Sequence, residues 1–184
     1  METAFIPDPW ITASSERELS PAYRARLNIT YGMLGAGALQ YTCNIHVHVQ
    51  SASCTDDVTQ YTGAWLPAVD DTDQWIQTDL QERYFFNEIW IQGQSNEANW
   101  VTNLTLLYAD NTSDWTVYVN ANGDSVLPGT TDQNSTTVLV LDPRPVGRYL
   151  RINPQGWNNH IALRYELVGC LETEQHYCKR GGHV

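Results

Sequence analysis

Residues 148–170 carry the pattern that decides the fold, and their sequence is Arg148-Tyr149-Leu150-Arg151-Ile152-Asn153-Pro154-Gln155-Gly156-Trp157-Asn158-Asn159-His160-Ile161-Ala162-Leu163-Arg164-Tyr165-Glu166-Leu167-Val168-Gly169-Cys170. Two segments rich in β-branched and aromatic side chains, 149–152 and 161–168, lie on either side of a stretch that contains Asn, Pro and Gly. Short segments of this kind predict β-strands joined by a loop.

The same pattern recurs along the chain. Further strands are predicted at residues 75–80, 101–108, 115–119 and 137–141, each bounded by Gly, Pro, Asn or Asp. No segment shows a convincing helical period. Many short strands without helices between them predict an antiparallel sandwich or barrel.

The clearest alternation lies in residues 39–50, where apolar and polar side chains take turns. This period predicts a half-buried strand with His46 and His48 on its polar face. The two imidazoles could share a metal ion if Asp56 or Asp57 supplied a further ligand. An isolated His-x-His pattern favours the alternative, two solvated histidines.

Composition limits the classes of function. The 184 residues suit one domain, and 42% hydrophobic with 17% charged residues is typical of a folded chain. No apolar run of about 18 residues predicts a membrane-spanning helix. The net charge of -11, with Lys179 as the one lysine, excludes nucleic acid as a partner and disfavours anionic membranes.

The cysteines point to an oxidising compartment. Cys43, Cys54, Cys170 and Cys178 form two local pairs, which indicates two disulfides rather than a zinc site, and Cys43 could close a small loop with Cys54. Four glycosylation sequons, at Asn28, Asn103, Asn111 and Asn134, agree with secretion. The first seven residues lack signal-peptide features, so the chain is either cytosolic or begins after a removed signal. We expect a secreted protein or the extracellular part of a larger one.

From Trp10 onward the chain resembles the coagulation factor V/VIII C-type domain, also called the discoidin domain. The resemblance rests on motifs that occur in order along nearly the whole chain: 11–15, 25–28, 63–67, 75–80, 92–93, 100–102 and 148–154, closed by 156–170. It implies a single all-β domain over residues 1–184, a jelly-roll sandwich of about eight main antiparallel strands. It also implies that loops at one end of the sandwich bind ligands, which in this family are phospholipid, glycans, collagen or other proteins.

The sequence departs from the family in two places. No cysteine precedes Cys43, so the resemblance implies that Cys170 pairs with Cys178 and clips the tail, residues 171–184. Residues 29–62 are an insertion where relatives have a handful of residues. By the family's layout this inserted strand or hairpin falls in the second ligand-facing loop.

Six residues are predicted to bind ligand. Asp70, Asp71 and Asp73 form the densest acidic cluster, whose carboxylates suit calcium or a cationic ligand group; the alternative is a solvated acidic turn. Tyr61, Asn99 and Trp100 add the aromatic rings and amide that a glycan would use. Trp65 and Trp75, by contrast, are expected in the core.

Other large polar-tipped residues are assigned to structure. We expect Trp157, Arg151 and Arg164 to hold the sandwich together, with arginine buried against a carboxylate such as Glu166 or Asp79. No nucleophile elbow, HExxH or phosphate-binding glycine loop occurs, so no enzyme activity is predicted. Apart from calcium, no cofactor is predicted.

Three functions follow in order of preference. The first is lectin-like glycan binding. The second is a protein-binding module of the neuropilin or collagen-receptor kind, in which the inserted strand enlarges the contact surface. Phospholipid binding comes last, because the loop at 16–21 has mixed charge and the loop at 94–99 has no cation.

Overall fold

The structure is a computed structural model that describes residues 8–26 and 63–173. In these ranges it contains eight strands and two 3-10 helices, at Asp8–Trp10 and Ala22–Arg24. The strands are β1 (Ile11–Ala13), β2 (Ile76–Gln92), β3 (Trp100–Ala109), β4 (Thr116–Val117), β5 (Val126–Pro128), β6 (Thr137–Val140), β7 (Val146–Asn158) and β8 (Arg164–Leu171). The predicted all-β fold of about eight main antiparallel strands is confirmed.

The strands pair antiparallel and divide between two layers. The first layer has the order β1-β2-β7-β3-β4, with β5 also paired to β3. In the second layer β6 and β8 both pair with the later part of β2. The long strand β2 therefore belongs to both layers.

A corner in β2 connects the layers. The pairing of β2 with β7 shifts register between Asp79 and Tyr84. Gln81, between them, has a φ of 65°, which is the left-handed region. The strand turns here, and its later part continues beside β8 from Tyr84 to Gln92.

The core lies between the layers. Ile89 and Ile91 of β2 and Leu104 and Leu106 of β3 are fully buried, as the period of two in a half-buried strand requires. They belong to one hydrophobic cluster that takes residues from both layers. Trp65 is fully buried in the same cluster, as expected.

The sequence predicted six of these strands and missed two. The segment 115–119 shortens to Thr116–Val117, and the later part of β2 was not predicted. β1 and β5 have three residues each, too few for an alternating pattern to show.

Several predictions lie outside the described residues. These are the strand at 39–50, the insertion at 29–62 and three of the four cysteines. Cys170 is disulfide-bonded, and its pairing with Cys178 stays a prediction. Within the described ranges, no helix has the length and apolar character needed to cross a bilayer.

Candidate ligand-binding site

Three segments meet at one end of the sandwich: residues 14–17 after β1, residues 67–73 before β2, and residues 158–160 at the end of β7. Arg17 joins the first two, because its Nε donates to the main-chain oxygen of Pro67 at 3.0 Å. His160 reaches the same segment through its contact with Asp70. The end of the sandwich thus holds a compact polar cluster.

Asp70 is the centre of this cluster. Its Oδ2 accepts a hydrogen bond from Nη2 of Arg17 at 2.8 Å and lies 2.7 Å from Nδ1 of His160. Its Oδ1 accepts from the main-chain N–H of Ile161 at 2.8 Å. The Asp70 side chain is 19% exposed, against 31% for Arg17 and 47% for His160. The carboxylate is therefore the less exposed support, and the two nitrogen-bearing side chains face solvent.

The electrostatics keep Asp70 ionised. Burial raises the pKa of the Asp70 carboxyl, but the hydrogen bonds from His160 and Ile161 and the charge of Arg17 lower it by more. The net result is a pKa below the ordinary value of 3.8. Near neutral pH, Asp70 can only accept hydrogen bonds.

This ionisation fixes the proton on His160. A carboxylate cannot donate, so the 2.7 Å contact requires that Nδ1 of His160 carries the hydrogen. The 3.3 Å contact between the same Nδ1 and Nη2 of Arg17 then joins two donors and is not a hydrogen bond. In neutral His160, Nε2 is left as an acceptor. Neither this Nε2 nor Nη1 of Arg17 has a hydrogen-bond partner in the described part of the chain.

A buried glutamine holds the acidic loop in place. Gln74 accepts hydrogen bonds through Oε1 from the hydroxyls of Ser14, at 2.8 Å, and Ser15, at 2.5 Å. Its Nε2 donates to Oδ1 of Asp71 at 2.8 Å. Gln74 therefore links the loop after β1 to the acidic cluster.

A second loop lies beside His160. The side-chain amides of Asn158 and Asn159 both donate to the main-chain oxygen of Ala98, at 2.6 and 2.8 Å. Asn159 has a φ of 54°, a left-handed conformation that asparagine tolerates better than most residues. The loop at 94–99 is thereby fixed next to the cluster.

The predicted ligand residues have different placements. Asp70 is central, whereas Asp71 uses Oδ1 to accept from the Asp73 N–H and from Gln74, which stabilises the turn. Asp73 is exposed. Asn99 is 3% exposed, and its amide donates to Gln94 and Glu97, which makes it a brace inside its loop rather than a surface group. Trp100 is half-buried at the start of β3.

The remaining site predictions are not reached. Tyr61, His46, His48, Asp56 and Asp57 lie outside the described residues. Within residues 8–26 and 63–173, no three His, Cys, Asp or Glu side chains come together as a metal site. Calcium binding by Asp70, Asp71 and Asp73 stays a prediction.

The expected arginine–carboxylate pair is wrong for Arg151. Asp79 pairs with Arg148, which contacts both carboxylate oxygens at 2.7 Å. Arg151 instead lies between the rings of Trp75 and Trp115, 4.1 and 3.9 Å from their centroids. A delocalised guanidinium stacks on aromatic faces as readily as it pairs with a carboxylate.

Arg164 contacts main-chain oxygens of two loops. Its Nε donates to the main-chain oxygen of Gly93 at 2.6 Å, and its Nη2 to that of Gln133 at 2.9 Å. The side chain is buried, and burial lowers its pKa. Arg164 therefore anchors two loops through main-chain carbonyls.

The fold and these loops can be compared with known proteins. The F5/8 type C domain family matches residues 46–167, more than half of the chain. The chain belongs to this family. The resemblance stated from the sequence is confirmed.

Relatives of this F5/8 type C domain include retinoschisin and a coagulation factor. Retinoschisin of Takifugu rubripes is 37% identical over 110 residues, covering 59% of this chain and 39% of the relative. Coagulation factor VIII of Sus scrofa is 34% identical over 111 residues, covering 59% of this chain and 5% of that protein. The match thus spans less than half the length of these relatives.

Solved structures agree with the fold of the F5/8 type C domain. Discoidin II from Dictyostelium discoideum has a TM-score of 0.66 at 24% identity, covering 86% of this chain and 53% of that one. The family 32 CBM from C. perfringens NanJ, in complex with galactose, has a TM-score of 0.51 at 15% identity, covering 88% and 97%. Family, relatives and fold support a binding module.

Sequence reasoning missed Arg17 and His160 as members of the cluster of this F5/8 type C domain. Arg17 was noted within the loop at 16–21, and His160 within the closing motif. They lie 53 and 90 residues from Asp70 in the sequence. No local sequence pattern predicts a contact at that separation, because only the antiparallel arrangement of the strands creates it.

Proposed function

We propose that the chain is an extracellular recognition module that binds glycans through Arg17, Asp70 and His160. The observation that carries the proposal is the donor and acceptor pair that Asp70 holds in place. Nη1 of Arg17 can donate and Nε2 of His160 can accept. A sugar hydroxyl does both at once, so adjacent hydroxyls match this pair.

Charge favours a neutral ligand. Asp70 and Arg17 compensate each other at 2.8 Å, and the chain as a whole carries a net charge of -11. An anionic ligand would meet long-range repulsion. A cationic ligand would find the oxygens of Asp70 already accepting from Arg17, His160 and Ile161. A neutral hydroxyl group meets no such repulsion and does not depend on the oxygens of Asp70.

Rigidity favours binding at this site. Asp70 holds the exposed side chains of Arg17 and His160 through hydrogen bonds, and Gln74 links the acidic loop to the loop after β1. Little conformational entropy therefore remains to be lost on binding.

The comparisons add support at the level of the fold. The family 32 CBM of NanJ was solved with galactose. A family 89 glycoside hydrolase from Clostridium perfringens, of which this fold covers 14%, was solved with GlcNAc-alpha-1,4-galactose. At 15% identity, these likenesses concern the fold rather than the binding residues. The disulfide at Cys170 supports extracellular localisation.

The test is a glycan array followed by calorimetry with the best glycan. Arg17→Ala and His160→Ala should each weaken binding about tenfold or more, because each removes a hydrogen bond to the ligand. Arg83→Ala is the matched control, since this exposed arginine pairs with Asp110 and Glu172 away from the cluster. The proposal fails if no glycan binds, or if all three variants bind like the unmodified chain.

A further inference from the structure

The outer face of the second layer exposes apolar side chains. Ile89 and Ile91 of β2 point into the core, so Trp90, between them, points outward and is 38% exposed. Val138 of β6 pairs with Trp90, and Val140 lies two residues further along the same face. These two valines are 47% and 70% exposed.

β6 is also an edge strand. Among the described residues it pairs with β2 alone. Its sequence, Thr137-Val138-Leu139-Val140, contains no charge and no proline. Edges of this kind invite pairing with other chains, and proteins usually protect them with lysine, proline or a covering group.

A glycosylation sequon lies at one end of the exposed face. Gln92 lies two residues after Trp90 in β2 and therefore on the same face of the strand. Its Nε2 donates to the main-chain oxygen of Asn134 at 3.0 Å and to Oγ1 of Thr136 at 2.8 Å. These hydrogen bonds hold the sequon Asn134-Ser135-Thr136 next to Trp90 and Val138. All three of its residues are exposed.

The side chain of Asn134 is available. Its main chain is engaged, with the N–H donating to Asp132, but in the described part of the chain its side-chain amide has no hydrogen-bond partner. Asn111, a second sequon asparagine, differs: its Nδ2 donates to Asp114 at 3.1 Å, and its Oδ1 accepts from the Ser113 hydroxyl at 2.7 Å. Asn103, a third, lies within β3, where its amide packs over Gly156.

We propose that Asn134 carries an N-linked glycan that lies over Trp90, Val138 and Val140. In the transfer, Nδ2 of Asn134 forms a bond to the anomeric carbon of an oligosaccharide carried on a polyisoprenyl diphosphate. The bond from that carbon to the diphosphate breaks, and the proton leaves the amide nitrogen for the departing diphosphate. The apolar face of a sugar ring then packs on the indole of Trp90, and the glycan covers the edge of β6 with polar groups.

This inference rests on the extracellular part of the proposed function and not on the ligand. The test is secretion of the full chain from eukaryotic cells behind an added signal peptide, followed by enzymatic glycan release in heavy-oxygen water. Release converts an occupied asparagine to a heavy aspartate, which mass spectrometry locates. We expect the heavy label at Asn134. An unlabelled Asn134 overturns the proposal, whatever Asn103 and Asn111 carry.

A second measurement tests the covering role. Sedimentation should show faster species for N134Q and for the chain after native glycan release, and adding V138T and V140T should remove them. N111Q is the matched control and should sediment like the unmodified chain. Self-association unchanged by loss of the Asn134 glycan would overturn the covering role. Because N134Q leaves Arg17, Asp70 and His160 intact, its glycan binding should be unchanged, so failure here is distinguishable from failure of the proposed function.

Discussion

Nδ1 of His160 lies 2.7 Å from Oδ2 of Asp70, although 90 residues separate them in the sequence. The contact joins the end of β7 to the loop before β2. Because the Asp70 carboxylate can only accept, the contact also determines which nitrogen of His160 faces solvent as an acceptor.

Asp70→Asn should weaken glycan binding about tenfold and lower the free energy of unfolding by about 2 kcal/mol. The amide removes the charge that compensates Arg17, and one of its two side-chain atoms becomes a donor. Calorimetry and urea unfolding measure the two effects. Asp110→Asn is the control, since Asp110 is exposed, pairs with Arg83 away from the cluster and should change both values little.

Acid should destabilise the domain through Asp79. The hydrogen bond from Arg148 lowers the pKa of the Asp79 carboxyl below 3.8 despite its partial burial. A lowered pKa in the folded state contributes stability that is present above the unfolded-state value and is lost as pH falls through the folded-state value. Urea unfolding should therefore lose less stability between about pH 5 and pH 2 in Asp79→Asn than in the unmodified chain. Equal losses would contradict the role of this pair.

Arg151 and Trp115 should be energetically coupled. The guanidinium lies 3.9 Å from the centroid of the Trp115 ring, close enough for a cation–π interaction. A double-mutant cycle with Arg151→Met and Trp115→Leu should give a coupling free energy of about 1 kcal/mol. A coupling near zero would show that the contact contributes nothing beyond packing.

Arg164→Gln should destabilise the domain by about 3 kcal/mol, because the carbonyls of Gly93 and Gln133 lose their charged donor. Arg83→Gln, which breaks exposed ion pairs, should cost less than about 1 kcal/mol. The midpoints of urea unfolding measure the difference. Similar values for both variants would mean that the buried hydrogen bonds of Arg164 stabilise the domain no more than the exposed ion pairs of Arg83 do.

The sequence predicted the strands of the two layers better than the turn in β2 that connects them. Strands such as β3 and β7 have the branched and aromatic residues that mark half-buried strands, and both were predicted. The turn of β2 near Gln81 was not, because Gln81-Glu82-Arg83 is polar and resembles an ordinary loop. The strand continues there because pairing with β7 and β8 compensates for the unfavourable local sequence.

The site was predicted in part for a related reason. Asp70 belongs to an acidic cluster that is visible in the sequence, whereas Arg17 and His160 have no distinguishing neighbours. Asn99 was predicted as a ligand residue for its amide, but that amide donates to Gln94 and Glu97, and these hydrogen bonds allow the residue to be buried. Residue type alone cannot show which polar groups a loop uses internally.

The most direct test of the central claim is an amide nuclear magnetic resonance titration with the strongest glycan from the array. We predict that the signals that move belong to residues 15–17, 69–71 and 158–161, with the ring signals of His160 among them. Shifts confined to other parts of the chain, or no shift with any glycan, would contradict a binding site built on Asp70.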